Sequence, residues 1–165
     1  MKKLLMAVVI LTVPLLSFAK GIGYGNTQWD MSPSEVVAAQ GNGAHLIPPE
    51  KYKDNFGKVR IDNVSIGSGL YTVTFLFNST DRLVQTNVAS NEKKNEGIAA
   101  SQFDTLSKLL TQKYGKPEFS NSDKATWKLP DTTVELSKMV IPGIMAQTVV
   151  RYVPNSRVAS DTSNL

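Results

Sequence analysis

Between Leu70 and Phe77 the side chains alternate with a period of two: Tyr71, Val73, Phe75 and Phe77 fall on one side, Thr72, Thr74 and Leu76 on the other. A strand so apolar on one face needs sheet partners and a covering layer. The turns beside it supply the first partner. Gly67-Ser68-Gly69 precedes it, Asn78 to Arg82 is a polar turn, and Leu83 to Val88 reads as the returning arm of a hairpin. Upstream, Val59 and Ile61 alternate in one phase and Val64 and Ile66 in the other, so a bulge or tight turn is expected at Asp62-Asn63.

Two helices are expected to supply the cover. Ser32-Pro33-Ser34-Glu35 is a capping box with proline at the first helical position, preceded by Met31 and followed by Val36 as a hydrophobic staple. It predicts a helix from about Pro33 to Gln40 that stops at Gly41. A longer helix should end near Tyr114, since Phe103, Leu106, Leu109, Leu110 and Tyr114 recur at three- and four-residue spacing on one face. Gly115, with Pro117 two residues on, stops it. Three further strands are expected: Ala125 to Leu129, Thr133 to Met139 around the Pro130-Asp131-Thr132 turn, and Ile144 to Val153 after Pro142-Gly143. Lys20 to Gln28 is read as irregular, 41–55 as a long polar loop around Pro48-Pro49, and 154–165 as a flexible tail.

The order is therefore α-β-β-β-α-β-β-β, an α+β fold with antiparallel sheet or sheets and two helices packed on one face. No long linker separates the halves, so residues 20–153 are expected to form one domain. The two αβββ halves share no residue-level identity and only suggest a duplication.

The amino terminus bears on compartment. Met1-Lys2-Lys3 is positive, Leu4 to Leu16 is mostly apolar, and Ser17-Phe18-Ala19 sets small residues ahead of a cut before Lys20. That is the layout of a cleavable signal peptide over residues 1–19. The apolar run is shorter than the ~20 residues a membrane span needs. With no cysteine near the cut there is nothing to lipidate, so the expected product is a soluble chain of about 146 residues, periplasmic or secreted, with no stable membrane insertion. Removing Lys2 and Lys3 leaves 16 basic against 14 acidic residues, a balance of +2. That weak, dispersed surplus argues against nucleic acid and is compatible with loose attraction to anionic surfaces such as cell wall or lipid headgroups. The chain has no cysteine at all, which excludes thiol catalysis, thiolate metal sites and disulfide exchange.

Little else points to catalysis. His45 is the one histidine and has no nucleophile motif near it in sequence. A metal site would have to rest on carboxylates, which show no calcium-loop spacing. Gly21-Ile22-Gly23-Tyr24-Gly25 lacks the preceding strand of a phosphate loop. Ser90-Asn91-Glu92-Lys93 spells Ser-x-x-Lys without the companion motifs of the penicillin-recognising enzymes. No catalytic residue, metal or cofactor is expected. The candidate binding residues are aromatic: Trp29 before the first helix, and Tyr52 and Phe56 in or beside the 41–57 segment with Lys51, Lys53 and Lys58. Trp29 has a competing role as a packing lid, and Trp127 is read as core.

The stretch Asp30-Met31-Ser32-Pro33-Ser34-Glu35-Val36, closing near Gly41, resembles the first-helix motif of small periplasmic α/β proteins. That group includes the small lipoprotein of the outer-membrane barrel-assembly machine and the β-lactamase-inhibitor-like proteins. Tyr114-Gly115-Lys116-Pro117 with Trp127 is similar to the second half of other exported proteins. The resemblance implies a fold and a compartment with protein-binding relatives, and it transfers no functional residue. The chain departs from the group in lacking the lipid-bearing cysteine and in carrying Asp30 where glycine is common. The expected function is a non-catalytic protein-binding or envelope accessory module whose partner is another envelope or secreted protein. The alternatives are an inhibitor or immunity protein against a secreted hydrolase, and a small envelope enzyme built around His45.

Overall fold

A computed structural model of the chain describes residues 21–41 and 43–162, with side chains as far as Val158. The expected signal peptide lies outside the described residues. Eight strands form one antiparallel sheet: β1 (His45–Tyr52), β2 (Asn55–Ile66), β3 (Gly69–Phe77), β4 (Leu83–Ser90), β5 (Phe119–Ser120), β6 (Lys124–Lys128), β7 (Thr132–Ile141) and β8 (Met145–Pro154). The helices are α1 (Pro33–Gln40), α2 (Glu96–Tyr114) and α3 (Asn155–Thr162). Strands lie in the order β1-β2-β3-β4-β8-β7-β6-β5.

The fold class holds, and the element order gains three members. One is β1. Its residues are exposed or half-exposed throughout, so it carries no alternating apolar signal, and Pro48-Pro49 falls where its register with β2 shifts between Leu46 and Glu50. Proline is tolerated there because an edge strand has one side without ladder partners. The second is the two-residue β5 at the opposite edge. The third is α3, in the segment expected as tail. Asn155 ties its start down: Nδ2 donates to the Leu129 and Pro130 carbonyls, Oδ1 accepts from Thr133 Oγ1, and the backbone N–H donates to Asp131.

Sheet register sorts the side chains into rows. Ile61, Val73, Val88, Val150, Leu136 and Ala125 are successive cross-strand partners, as are Val59, Phe75, Thr86, Tyr152, Val134 and Trp127. Both rows face α2, as the Thr148 hydroxyl two residues before Val150 shows by donating to the Ala99 carbonyl at 2.8 Å. The phase switch in β2 is a bulge. Ile61 pairs with Val73 and Val64 with Tyr71, so Asp62 and Asn63 oppose Thr72 alone, and Asn63 takes a φ of 55°. The bulge keeps Val59, Ile61 and Val64 on one face despite the shift.

The helices cap as expected. Glu35 N–H donates to Ser32 Oγ, and Ser32 N–H donates to Glu35 Oε2 at 2.7 Å. α1 packs over β1 and β2, α2 over β7 and β8. Ala99, Gln102, Phe103, Leu106 and Leu110 are buried on α2, whereas Leu109, placed on that face by its spacing, lies outside it. Val36, Phe103, Leu106, Trp29 and Trp127 join one core cluster that spans both halves of the chain. The 21–29 segment is folded as well: Trp29 N–H donates to Gly21, Gly23 N–H to Thr27, and Gln40 Nε2 to the Tyr24 carbonyl.

Candidate functional site

The opposite face of the sheet carries the polar phase of every strand. One row crosses it from edge to edge: His45, Arg60, Thr74, Asn87, Arg151, Glu135, Thr126 and Phe119 are successive cross-strand partners. At ~4.8 Å between strands, the row runs about 34 Å. Its charged members are locked. Arg60 Nη2 donates to Glu50 at 2.6 Å. Arg151 donates twice to Glu135, from Nη2 at 2.6 Å and Nε at 2.9 Å. Gln85 Nε2 donates to Asn87 Oδ1 at 2.8 Å. Partial burial works against the Arg60 charge, but the Glu50 hydrogen bond and the charges of Glu50, Asp62 and Tyr52 outweigh it and hold the guanidinium above its ordinary value.

Beside this row the floor is apolar and covered at one end. Leu76, at 1% exposed, and Val153 are buried although they belong to the face that α1 and α2 leave open. Tyr52 and α3 account for this. The Tyr52 ring lies across Gly57, where an added Cβ would stand 3.0 Å from Tyr52 Cε2 and 2.9 Å from Thr74 Cγ2. Two hollows flank the ring. One, of about 330 Å³, is lined by Tyr52, Asn55, Leu76, Gln85, Arg151 and Arg157 among others. The second, of about 240 Å³, is lined by Tyr52, Arg60, Thr72, Thr74, Ala89 and Gln147 among others. Arg157 Nη1 donates to Asn55 Oδ1 at 3.3 Å, joining α3 to the β1–β2 hairpin over the first hollow.

The three aromatic residues singled out from the sequence go to three different places. Tyr52 stands between the two hollows, 36% exposed, with its hydroxyl 3.4 Å from Glu50. Trp29 is 5% exposed in the core, and its Nε1 donates to Thr132 Oγ1 at 2.8 Å. Phe56 pairs with Phe77 on the helix-covered side of β2, half-buried beneath Lys58. Residues 45–57, expected as part of a long loop, belong to the β1–β2 hairpin, with Tyr52 beside its turn. Sequence reasoning passed over Arg60, Gln85, Asn87, Arg151 and Glu135. Their signal was present: each is a polar residue in the outward phase of a strand whose inward phase is apolar.

His45 begins the polar row. Its Nε2 lies 3.5 Å from Asp62 and its Nδ1 3.1 Å from the Gly43 carbonyl, and both ring and carboxylate are half exposed. Among the described residues, no group of three His, Asp or Glu side chains could hold a metal ion. Ser90, from the Ser-x-x-Lys stretch, is buried, and its hydroxyl donates to the Glu92 carbonyl.

Fold and face together define an α+β protein whose eight-stranded sheet is covered by α1 and α2 on one side and presents a fixed polar row on the other. Comparison with protein-family models, with curated proteins and with solved structures finds no match for this chain.

Proposed function

We propose that this is an exported, non-catalytic protein-binding module of the cell envelope, periplasmic or secreted after processing near Ala19-Lys20, and that it holds its partner on the open face of the sheet. The observation that carries the reading is the edge-to-edge row from His45 to Phe119, whose charged side chains are already fixed by Glu50 and Glu135. Fixed side chains lose little entropy on docking, which is what preorganisation contributes to affinity. A face about 34 Å across accommodates the ~800 Å² per partner of a standard protein interface. Tyr52, flanked by two hollows and Arg–Glu pairs, has the chemistry of an interface anchor.

The test is site-specific photo-crosslinking in intact cells. Probes at Gln85 and Asn87 on the open face are compared with one at Lys108, exposed on α2. A discrete protein adduct from positions 85 and 87, absent from 108 and lost in Arg151→Ala, is the expected result. Adducts formed equally from 108, or none from the open face, would overturn the assignment.

A further inference from the structure

The β7–β8 hairpin ends in an apolar tip that the core does not use. Met139 is 54% exposed and Ile144 71%, and Val140 and Ile141 are exposed between them. Pairing of Ile141 with Met145 brings a second methionine alongside. The tip is rigid. Pro142 and Gly143 occupy the central positions of the turn, Gly143 has a φ of 71°, and Ile144 N–H donates to the Ile141 carbonyl at 2.9 Å. That is the chemistry of a type II turn.

Two features indicate what covers it. First, the turn offers few backbone donors: Pro142 has no N–H, and that of Ile144 is spent within the turn. Unpaired backbone donors are costly in hydrocarbon, so a turn with two of its three N–H positions withheld suits shallow seating at the headgroup level. Its side chains are aliphatic or thioether, without the Trp, Tyr or Arg that dominate protein hot spots. Second, lysines surround it. The 91–95 loop packs against β8 through Ala146 N–H to the Lys93 carbonyl and Gln147 Nε2 to the Ser90 carbonyl, which sets exposed Lys93 and Lys94 beside the tip. Lys124, paired with Ser137, is exposed on the other side. Two of the nearby acids are engaged. Glu92 accepts from the N–H groups of Lys93, Lys94 and Asn95. Asp123 is held by Lys138 and Ser122.

We infer that the β7–β8 hairpin tip, from Met139 to Met145, seats reversibly on an anionic lipid surface, its aliphatic side chains at the headgroup–acyl boundary and Lys93, Lys94 and Lys124 against the headgroups. Shallow apolar insertion combined with basic residues is a two-signal mode of peripheral attachment. It adjoins the open sheet face proposed for protein binding, where Lys93 and Gln147 line the second hollow, and does not depend on that reading. Among the described residues no helix is long and apolar enough to cross a membrane, and the seating requires none.

Vesicle sedimentation tests it, using protein made from the whole sequence and purified after its own processing, with its amino terminus fixed by mass. Vesicles of phosphatidylglycerol mixed with phosphatidylcholine are compared with phosphatidylcholine alone. The wild-type chain should sediment with the anionic vesicles and release at high salt. Ile144→Ser combined with Ile141→Ser should weaken binding by about tenfold or more, as loss of two seated side chains requires. Lys93→Glu combined with Lys94→Glu should weaken it on anionic vesicles alone. All four positions are exposed, and an unchanged thermal midpoint verifies folding. Equal sedimentation of the double-serine variant, or equal binding to neutral vesicles, overturns the inference. So does self-association that the serine variant abolishes without any vesicle binding, which would assign the tip to a second copy of the chain.

Discussion

Individual side chains decide how the open face is finished. Gly57 is glycine because Tyr52 occupies the space where its Cβ would be, with Thr74 closer still. Gly57→Ala should therefore destabilise by about 1–2 kcal/mol through overpacking. It should also swing Tyr52 away, since that ring is partly exposed and is the neighbour most free to move. Urea unfolding and the Tyr52 ring signals in NMR measure the two effects; an unchanged midpoint would overturn the claim that Tyr52 and Thr74 require glycine at this position. A second set of tyrosines works from inside. Burial, with Tyr114 and Tyr24 adding to it, raises the Tyr152 phenol far above its ordinary value, and burial raises Tyr24 and Tyr71 as well. Tyr24 and Tyr152 meet edge to face with centroids 5.4 Å apart. Because the folded values lie above the unfolded one of ~10, this contribution to stability is complete below about pH 10 and is lost as pH rises towards the folded values. Phenolate absorbance should thus show a late phase coinciding with loss of circular dichroism. Tyr152→Phe should subtract amplitude from that late phase only.

At the scale of elements, legibility followed burial. α1 was readable to the residue because its cap is chemistry written in four consecutive letters. With only eight residues it depends on that cap, so Ser32→Ala should cost ~1 kcal/mol, or a 2–4 °C drop in thermal midpoint. Glu35→Gln, which retains an acceptor, should cost less. The strands β2, β3, β4, β6, β7 and β8 were legible because each buries one phase. β1 was not, since an edge strand exposed along its length and broken by Pro48-Pro49 has no periodic signal to read. α3 was missed for a related reason: its start is fixed by Asn155 reaching back to Leu129, Pro130 and Thr133, contacts at a separation that no local pattern records. The candidate site was half visible. Tyr52 stood out as an aromatic in a polar stretch, while Arg60 and Arg151 looked like any outward-facing strand residue. Their alignment in one row is a property of register, which emerges only when β2, β3, β4, β8 and β7 are placed side by side.

The whole molecule is organised about the seam between β4 and β8. On one side run β4-β3-β2-β1, on the other β8-β7-β6-β5, so each half is a helix followed by four antiparallel strands, and the last strands of the halves meet. The topology strengthens the suggestion of a duplication that sequence identity does not carry. Only four residue pairs cross the seam, Thr86 to Ala89 against Tyr152 to Val149. Such a short ladder would leave the halves free to unfold separately if nothing else joined them. Two features oppose that. The core cluster is continuous, with Phe75 and Val88 from the first half packed in the same body as Phe103, Trp127 and Val150 from the second. Trp29, from the first half, is fastened to Thr132 in the second. Each half therefore holds one tryptophan, and both are buried. Fluorescence of Trp29→Phe follows Trp127, where Nε1 donates to the Gly115 carbonyl, and fluorescence of Trp127→Phe follows Trp29 at the junction. If the shared core dominates the short seam, the two variants should each show a single urea transition whose fluorescence midpoint matches its own circular dichroism midpoint. A Trp127 signal that persists after half of the circular dichroism is gone would mean that the halves are separate folding units joined by four residue pairs.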